Sequence, residues 1–153
     1  MVSIGKYAFY GCSNLTGSPV CGSLVPSLYN TYAFCTNLTG APVCGANVTN
    51  MASAYEGCTN LYGRPNVSSK VTNMQLAYSD CGKIYGNPLC PENVTDFSYA
   101  YEYCHNLTGS PVISENVINM ANAYLGCNNL TGGPIVGTNV VDMSSAYRGC
   151  EKI

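Results

Sequence analysis

Apolar and polar positions along this chain follow a pattern that recurs every 23 residues. Cys12, Cys35, Cys58, Cys81, Cys104, Cys127 and Cys150 form one column of the repeat. Leu15, Leu38, Leu61, Ile84, Leu107, Leu130 and Ile153 form a second, and Phe9, Tyr32, Tyr55, Tyr78, Tyr101, Tyr124 and Tyr147 an aromatic third. Gly17 to Gly132 and Pro19 to Pro134 recur at the same step, and no insertion breaks the register between Cys12 and Cys150. A fixed period of roughly 20–50 residues marks a stack of repeats in which each unit buries its faces against its neighbours. Residues 1–153 therefore read as a single solenoid domain with seven helical halves, six strand halves and no obvious capping repeats.

Each coil divides in two. In the third, Met51, Ala54, Tyr55 and Cys58 fall at i, i+3, i+4 and i+7, which predicts one face of a short helix. Asn50, Asn73, Asp96, Asn119 and Asp142 precede these segments as N-caps would, and Gly57, Gly126 and Gly149 stand where such helices should stop. The Leu-Thr-Gly-x-Pro-Val half predicts a tight bend followed by a very short strand. Proline supplies no ladder donor, so the strand should start at or after it. Val20-Cys21 and Val112-Ile113 are the candidate segments, and Val25, Val48, Val71, Val94, Val117 and Val140 lead the chain back toward the next helix.

Composition separates the chain from an ordinary globular enzyme. Charged residues make up only 9%, against about 25% in an average soluble domain. A formal charge of -2 provides no basic field for nucleic acid and no polybasic segment for a membrane. No apolar run approaches the ~18 residues of a spanning helix, and the opening twelve residues lack the apolar region of a signal peptide.

The stretch Ala8-Phe9-Tyr10-Gly11-Cys12-Ser13-Asn14-Leu15 resembles the A-F-x-x-C-x-x-L signature of BspA-like, Treponema-type leucine-rich repeat proteins. Val48-Thr49-Asn50-Met51, with Ala54, Tyr55, Gly57 and Cys58, is similar to the V-T-N-M-x-x-M-F-x-G-C repeats of bacterial surface lipoproteins. The resemblance covers essentially the whole chain. It departs where most coils carry Tyr for Phe, and where Ser18, Ala41, Arg64, Asn87, Ser110 and Gly133 occupy positions that the family gives to Ile or Leu. The expected fold is an α/β leucine-rich-repeat solenoid with short parallel strands on one side and short helices on the other. The resemblance implies extracellular structural or adhesion proteins of microbial surfaces, or phage fibre proteins on the virion, and no catalytic residues.

The residues agree with a non-enzymatic reading. His105 is the sole histidine, in a column otherwise made of Ser13, Thr36, Thr59, Gly82, Asn128 and Glu151, which reads as a polar turn position. Glu56, Asp80, Glu92, Glu102, Glu115 and Glu151 are scattered over four phases of the repeat, and no catalytic carboxylate pair is evident. The ten cysteines lack the C-x-x-C or histidine spacing of a zinc site, so no metal or cofactor is expected. The second cysteine column reads Cys21, Cys44, Val67, Cys90, Ile113, Val136. Apolar replacement there points to small buried hydrophobes, and the column from Cys12 to Cys150 is expected to be a core ladder of free thiols; a Cys21–Cys44 bridge is the alternative. N-x-S/T sites at Asn14, Asn37, Asn47, Asn66, Asn93, Asn106 and Asn129 suit turns as well as glycosylation.

Two surfaces stand out. Thr16, Thr39, Tyr62, Tyr85, Thr108 and Thr131 share one phase, a candidate exposed stripe for a protein or glycan ligand, with simple edge covering as the alternative. The core columns are open at Val2, Ile4, Phe9 and Leu15 on one side and at Tyr147, Cys150 and Ile153 on the other. That predicts either a longer array or end-to-end self-association into a filament.

Overall fold

The computed structural model describes residues 4–153. Val2, one of the positions expected to leave a core column open, lies outside them.

Successive coils stack on one another with a 23-residue repeat, and the stacking is carried by backbone hydrogen bonds between coils. The helices that the spacing predicts do not form. No helix occurs among the described residues, and the segments expected to be helical are runs of reverse turns. In the third coil the N–H groups of Met51, Ser53, Tyr55 and Gly57 donate to the carbonyls of Asn73, Gln75, Ala77 and Ser79 in the next coil, at 2.8–3.0 Å. The residues between them close local turns: Ala54 N–H donates to Met51 and Cys58 N–H to Tyr55. A helix starting after Asn50 would have left the first-turn donors, Met51 and Ser53 among them, without internal partners, and two turns of helix are marginal in isolation.

Backbone angles make the same point. Two positions per coil lie in the left-handed region, as at Asn30 and Phe34, Leu76 and Asp80, or Tyr99 and Tyr103, with φ between 52° and 61°. A left-handed residue in every fourth place interrupts any right-handed helix. Asn50 still caps its segment, but its Oδ1 accepts from the Ala52 N–H at 2.8 Å to form a turn rather than a helix start. Asn73, Asp96, Asn119 and Asp142 do the same two residues ahead. Gly57, Gly126 and Gly149 have positive φ inside the turn run, so they are part of it and do not end a helix.

The strand half is reduced as well. There is no sheet among the described residues, only isolated parallel bridges: Ser27↔Asn50, Asn50↔Asn73 and their successors on the turn side, and Gly63↔Ile84, Gly86↔Leu107 and Val112↔Ile135 opposite. Of the two candidate strand segments, Val112-Ile113 pairs with the next coil, Ile113 N–H donating to Ile135 at 2.8 Å. Val20-Cys21 forms no bridge, because its backbone is engaged from the core. The Tyr32 hydroxyl donates to the Val20 carbonyl at 2.7 Å and accepts from the Val20 N–H at 3.2 Å. Tyr55 with Val43 and Tyr101 with Leu89 repeat this clamp.

The core is a set of ladders. The rings from Phe9 to Tyr147 stack nearly parallel, 5.2–5.8 Å between centroids and within 11° of coplanar. Such pairs contribute about 0.5–1.5 kcal/mol each beyond the area they bury. Val48, Met51, Leu61 and their equivalents in the middle coils are fully buried around them.

Candidate binding surface

The stripe begins with the bend. Leu61 is buried while its successor Tyr62 is exposed, and Tyr62 N–H donates to the Gly40 carbonyl of the preceding coil at 3.0 Å. The same bond holds Thr39 to Gly17, Tyr85 to Gly63, Thr108 to Gly86 and Thr131 to Gly109. Backbone pairing thus fixes the column Thr16, Thr39, Tyr62, Tyr85, Thr108, Thr131, and every one of its side chains is exposed. The Tyr62 and Tyr85 rings lie 5.4 Å apart, tilted by 50°, and remain 58% and 38% exposed. The neighbouring Tyr85 hydroxyl raises the Tyr62 phenol above its ordinary value.

The glycine column is explained by what crosses it. A Cβ on Gly109 would meet the Asn87 side chain at 2.1 Å, and one on Gly63 would meet Ala41 at 2.8 Å. The residue before each proline leans over the glycine of the next coil. Arg64 does so over Gly86, where a Cβ would lie 3.4 Å from the arginine Cγ. Arg64, Pro65, Gly86, Asn87, Leu89 and Thr108 then line a groove of about 460 Å³ beside the tyrosine pair. Leu89 also borders a neighbouring groove of about 260 Å³ with Val67, Ser69, Cys90, Pro91 and Glu92.

Arg64, Asn87 and Leu89 are the members that the stripe alone does not reveal. The signal lies in their columns. Ser18, Ala41, Ser110 and Gly133 are small where Arg64 and Asn87 are long. These departures coincide, coil for coil, with tyrosine replacing threonine at Tyr62 and Tyr85. Two other cations in these coils are held elsewhere: Lys70 Nζ donates to Asn47 at 2.7 Å and Lys83 Nζ to Asn60 at 2.5 Å.

No protein-family model, curated protein or solved structure matches this chain. The binding surface therefore rests on its own residues. No helix of the described residues is long and apolar enough to cross a membrane.

The remaining candidate chemistry is placed as follows. All ten cysteines are free thiols; Cys35, Cys58, Cys81, Cys104 and Cys127 are buried, and Cys150 is half-buried. Cys12 departs from the expected buried ladder: it is exposed, because no described coil covers it. In the column from Cys35 to Cys150 each thiol donates to the carbonyl of the aromatic residue 26 positions earlier, as Cys58 to Tyr32 and Cys81 to Tyr55, both at 3.0 Å. Burial pushes the Cys58 thiol up to about 12 and that of Cys44 up to about 11. Buried, protonated thiols of this kind are poor nucleophiles.

His105 is exposed, its Nδ1 2.9 Å from the Gly126 carbonyl, to which it donates. Glu102 accepts from Ser79 Oγ at 3.0 Å, and burial, with Asp80 and Glu56 nearby, raises its pKa. Glu56 and Glu102 share one column two coils apart, and Asp80 follows that column's Ser79 in the coil between them. No group of three His, Cys, Asp or Glu side chains among the described residues is arranged to hold a metal. Of the N-x-S/T asparagines, Asn47, Asn93 and Asn129 use their amides to bond the preceding coil, whereas Asn14, Asn37, Asn66 and Asn106 are exposed. Ile4, Phe9 and Leu15 are half-buried at one face of the stack, as are Tyr147 and Cys150 at the other, while Ile153 is exposed. These residues do not converge on a single site.

Proposed function

We propose that this chain is a non-enzymatic, extracellular repeat protein that presents a surface of its coil stack to host or partner molecules, on a microbial cell surface or a virion. One observation carries the reading. The exposed columns break their own repeat at Tyr62, Arg64, Tyr85 and Asn87; Arg64 and Asn87 line one groove, and the tyrosines stand in the column that continues to its lining residue Thr108. Stacking alone needs only the threonines and small residues that the other coils supply. Exposed tyrosine and arginine are the residue types that dominate recognition surfaces. An array of extracellular proteins and glycans, probed with the wild-type chain and with a Tyr62→Ala/Tyr85→Ala variant, tests this. A ligand bound by the first and lost by the second supports the reading. Ligands retained by the variant would place recognition elsewhere.

A second reading is self-assembly into a filament. It is favoured by the one-way hydrogen bonding of the turn segments, since Met51, Ser53, Tyr55 and Gly57 all donate forward. On this side a coil bare on its forward face presents donors and one bare on its rear face presents acceptors, while the bend side, where Tyr62 donates back to Gly40, runs the opposite way in matching register. Electron microscopy of concentrated protein separates the readings: filaments with a coil-spaced axial repeat support the second, and a monodisperse monomer rules it out.

A further inference from the structure

We infer that the groove beside Tyr62 and Tyr85 is a subsite for an acidic saccharide, a pyranose ring carrying a carboxylate. The inference rests on the binding-surface reading and names the ligand class for that same site.

The groove and the stripe that runs into it specify this chemistry together. Arg64 is the only cation lining it. A guanidinium offers a planar fork of donors that fits a carboxylate with two parallel hydrogen bonds, which a lysine ammonium does not. Its stem and Nε lie over Gly86, whose missing Cβ leaves room for the crossing, and the side chain lines the groove.

In the stripe that continues to the lining residue Thr108, two exposed aromatic rings, Tyr62 and Tyr85, stand 5.4 Å apart at a 50° tilt. A pyranose has an apolar C–H face that packs on an aromatic ring, and a second, tilted ring can flank the same sugar. Pro65 and Leu89 supply the apolar part of the lining. Asn87 and Thr108 supply the polar part. An amide carries both donors and an acceptor, and a hydroxyl does both, which matches vicinal sugar hydroxyls that themselves donate and accept. The volume of about 460 Å³ falls in the range of small-ligand pockets, roughly 300–1,000 Å³.

Competing ligand classes fit less well. A nucleic-acid backbone needs a row of cations, yet Lys70 and Lys83 are bonded to asparagines and the chain is net negative. A neutral sugar leaves the arginine without a partner of its own charge type. A carboxylate without a ring leaves both tyrosines unused.

The test uses the full chain, isotope-labelled, titrated with trigalacturonate and 3′-sialyllactose as acidic probes. Maltotriose and lactose serve as neutral controls, and hexaglutamate as a carboxylate without a sugar ring. The expected result is saturable shifts of the Tyr62, Tyr85, Asn87 and Thr108 amides with at least one acidic sugar, and at least tenfold weaker binding of the neutral sugars. Arg64→Gln should weaken the acidic probe at least tenfold, Arg64→Lys should recover part of the loss, and Arg148→Gln should leave binding unchanged. Matching amide spectra of the variants would show that they fold.

Equal affinity for neutral sugars, indifference to Arg64→Gln, comparable binding of hexaglutamate, or no binding of either acidic sugar would each overturn the inference. The broader reading fails separately. A neutral glycan or a protein from the array that depends on Tyr62 and Tyr85 would keep the surface and discard the ligand class. An array ligand indifferent to both tyrosines would discard the surface too.

Discussion

The Tyr55 hydroxyl donates to the Val43 carbonyl at 2.6 Å and accepts from the Val43 N–H at 3.2 Å. One core side chain thereby satisfies both backbone groups of a residue on the opposite wall of the coil. Two coils near the other end of the column lack the clamp: the Tyr124 and Tyr147 hydroxyls are buried without a partner. Removing the oxygen should have opposite consequences at the two places. Tyr55→Phe orphans a donor and an acceptor and should cost about 1–3 kcal/mol. Tyr124→Phe removes a buried polar atom that has no bond to lose, and should be neutral or stabilising. Urea unfolding of both variants compares them directly; equal losses would contradict the clamp.

Glycine at position 63 is required twice over. Its φ of 130° is closed to other residues, and a Cβ there would lie 2.8 Å from that of Ala41. Gly63→Ala should destabilise by roughly 3 kcal/mol, from backbone strain together with overpacking. At Gly133 an added Cβ meets nothing within 4 Å and φ is not positive. Gly133→Ala should change the thermal midpoint little, and a loss as large as that of Gly63→Ala would show that the space argument fails.

The thiols predict a pH dependence. Burial raises Cys44 to about 11 and Cys58 to about 12, from 9.0 for an exposed thiol. The folded state therefore holds protons that the unfolded chain has already released. The stability from these groups is fully present below pH 9 and is lost as pH rises toward 11 and 12. Equilibrium unfolding measured from pH 7 to pH 11 should show a decline that begins near pH 9. Under native conditions at neutral pH, exposed Cys12 should alkylate first, and the five buried thiols only after unfolding. Early labelling of Cys81 would contradict its burial.

Because coils pair in register, one whole period should be removable. Deleting residues 82–104 joins Cys81 to His105 and keeps every column aligned. The product should fold with an unchanged far-ultraviolet spectrum and a lower thermal midpoint, as nearest-neighbour stacking requires. Deleting 82–103 instead shifts all later columns by one place and should abolish cooperative unfolding. Neither wild type nor the shortened chain should show the paired minima of an α-helix.

The absence of helix marks the limit of what the sequence makes legible. The period identified which residues meet: Tyr32 with Tyr55, Cys58 with its neighbours in the column, Thr39 beside Tyr62. It could not identify the backbone between them. Met51, Ala54, Tyr55 and Cys58 point inward whether the segment is a helix or a run of turns, because both return the chain to one face every three to four residues. What decides is the destination of the N–H groups, which the side-chain pattern does not encode. A clue was present in the column Gly11, Phe34, Gly57, Asp80, Tyr103, Gly126, Gly149. Glycine and aspartate there mark a left-handed position inside every coil, including coils where Phe34 or Tyr103 accepts the strain. The tyrosine stripe was legible because exposure alternates with burial at the bend. The groove was not, since Arg64 and Asn87 matter by leaning across a glycine in the following coil.

The direction of the turn-segment hydrogen bonds bears on how such a chain is made. Synthesis proceeds from the N-terminus, so the third coil, once made, has four donors raised toward a coil that does not yet exist, and only the N–H groups of Thr49 and Tyr62 donate back to the coil before it. Orphaned N–H groups are tolerated less well than orphaned carbonyls. The edge that grows is thus the costlier one to leave bare, and every newly emerging coil relieves its predecessor by supplying four acceptors. Folding that keeps pace with the ribosome would advance in one direction, each layer templating the next.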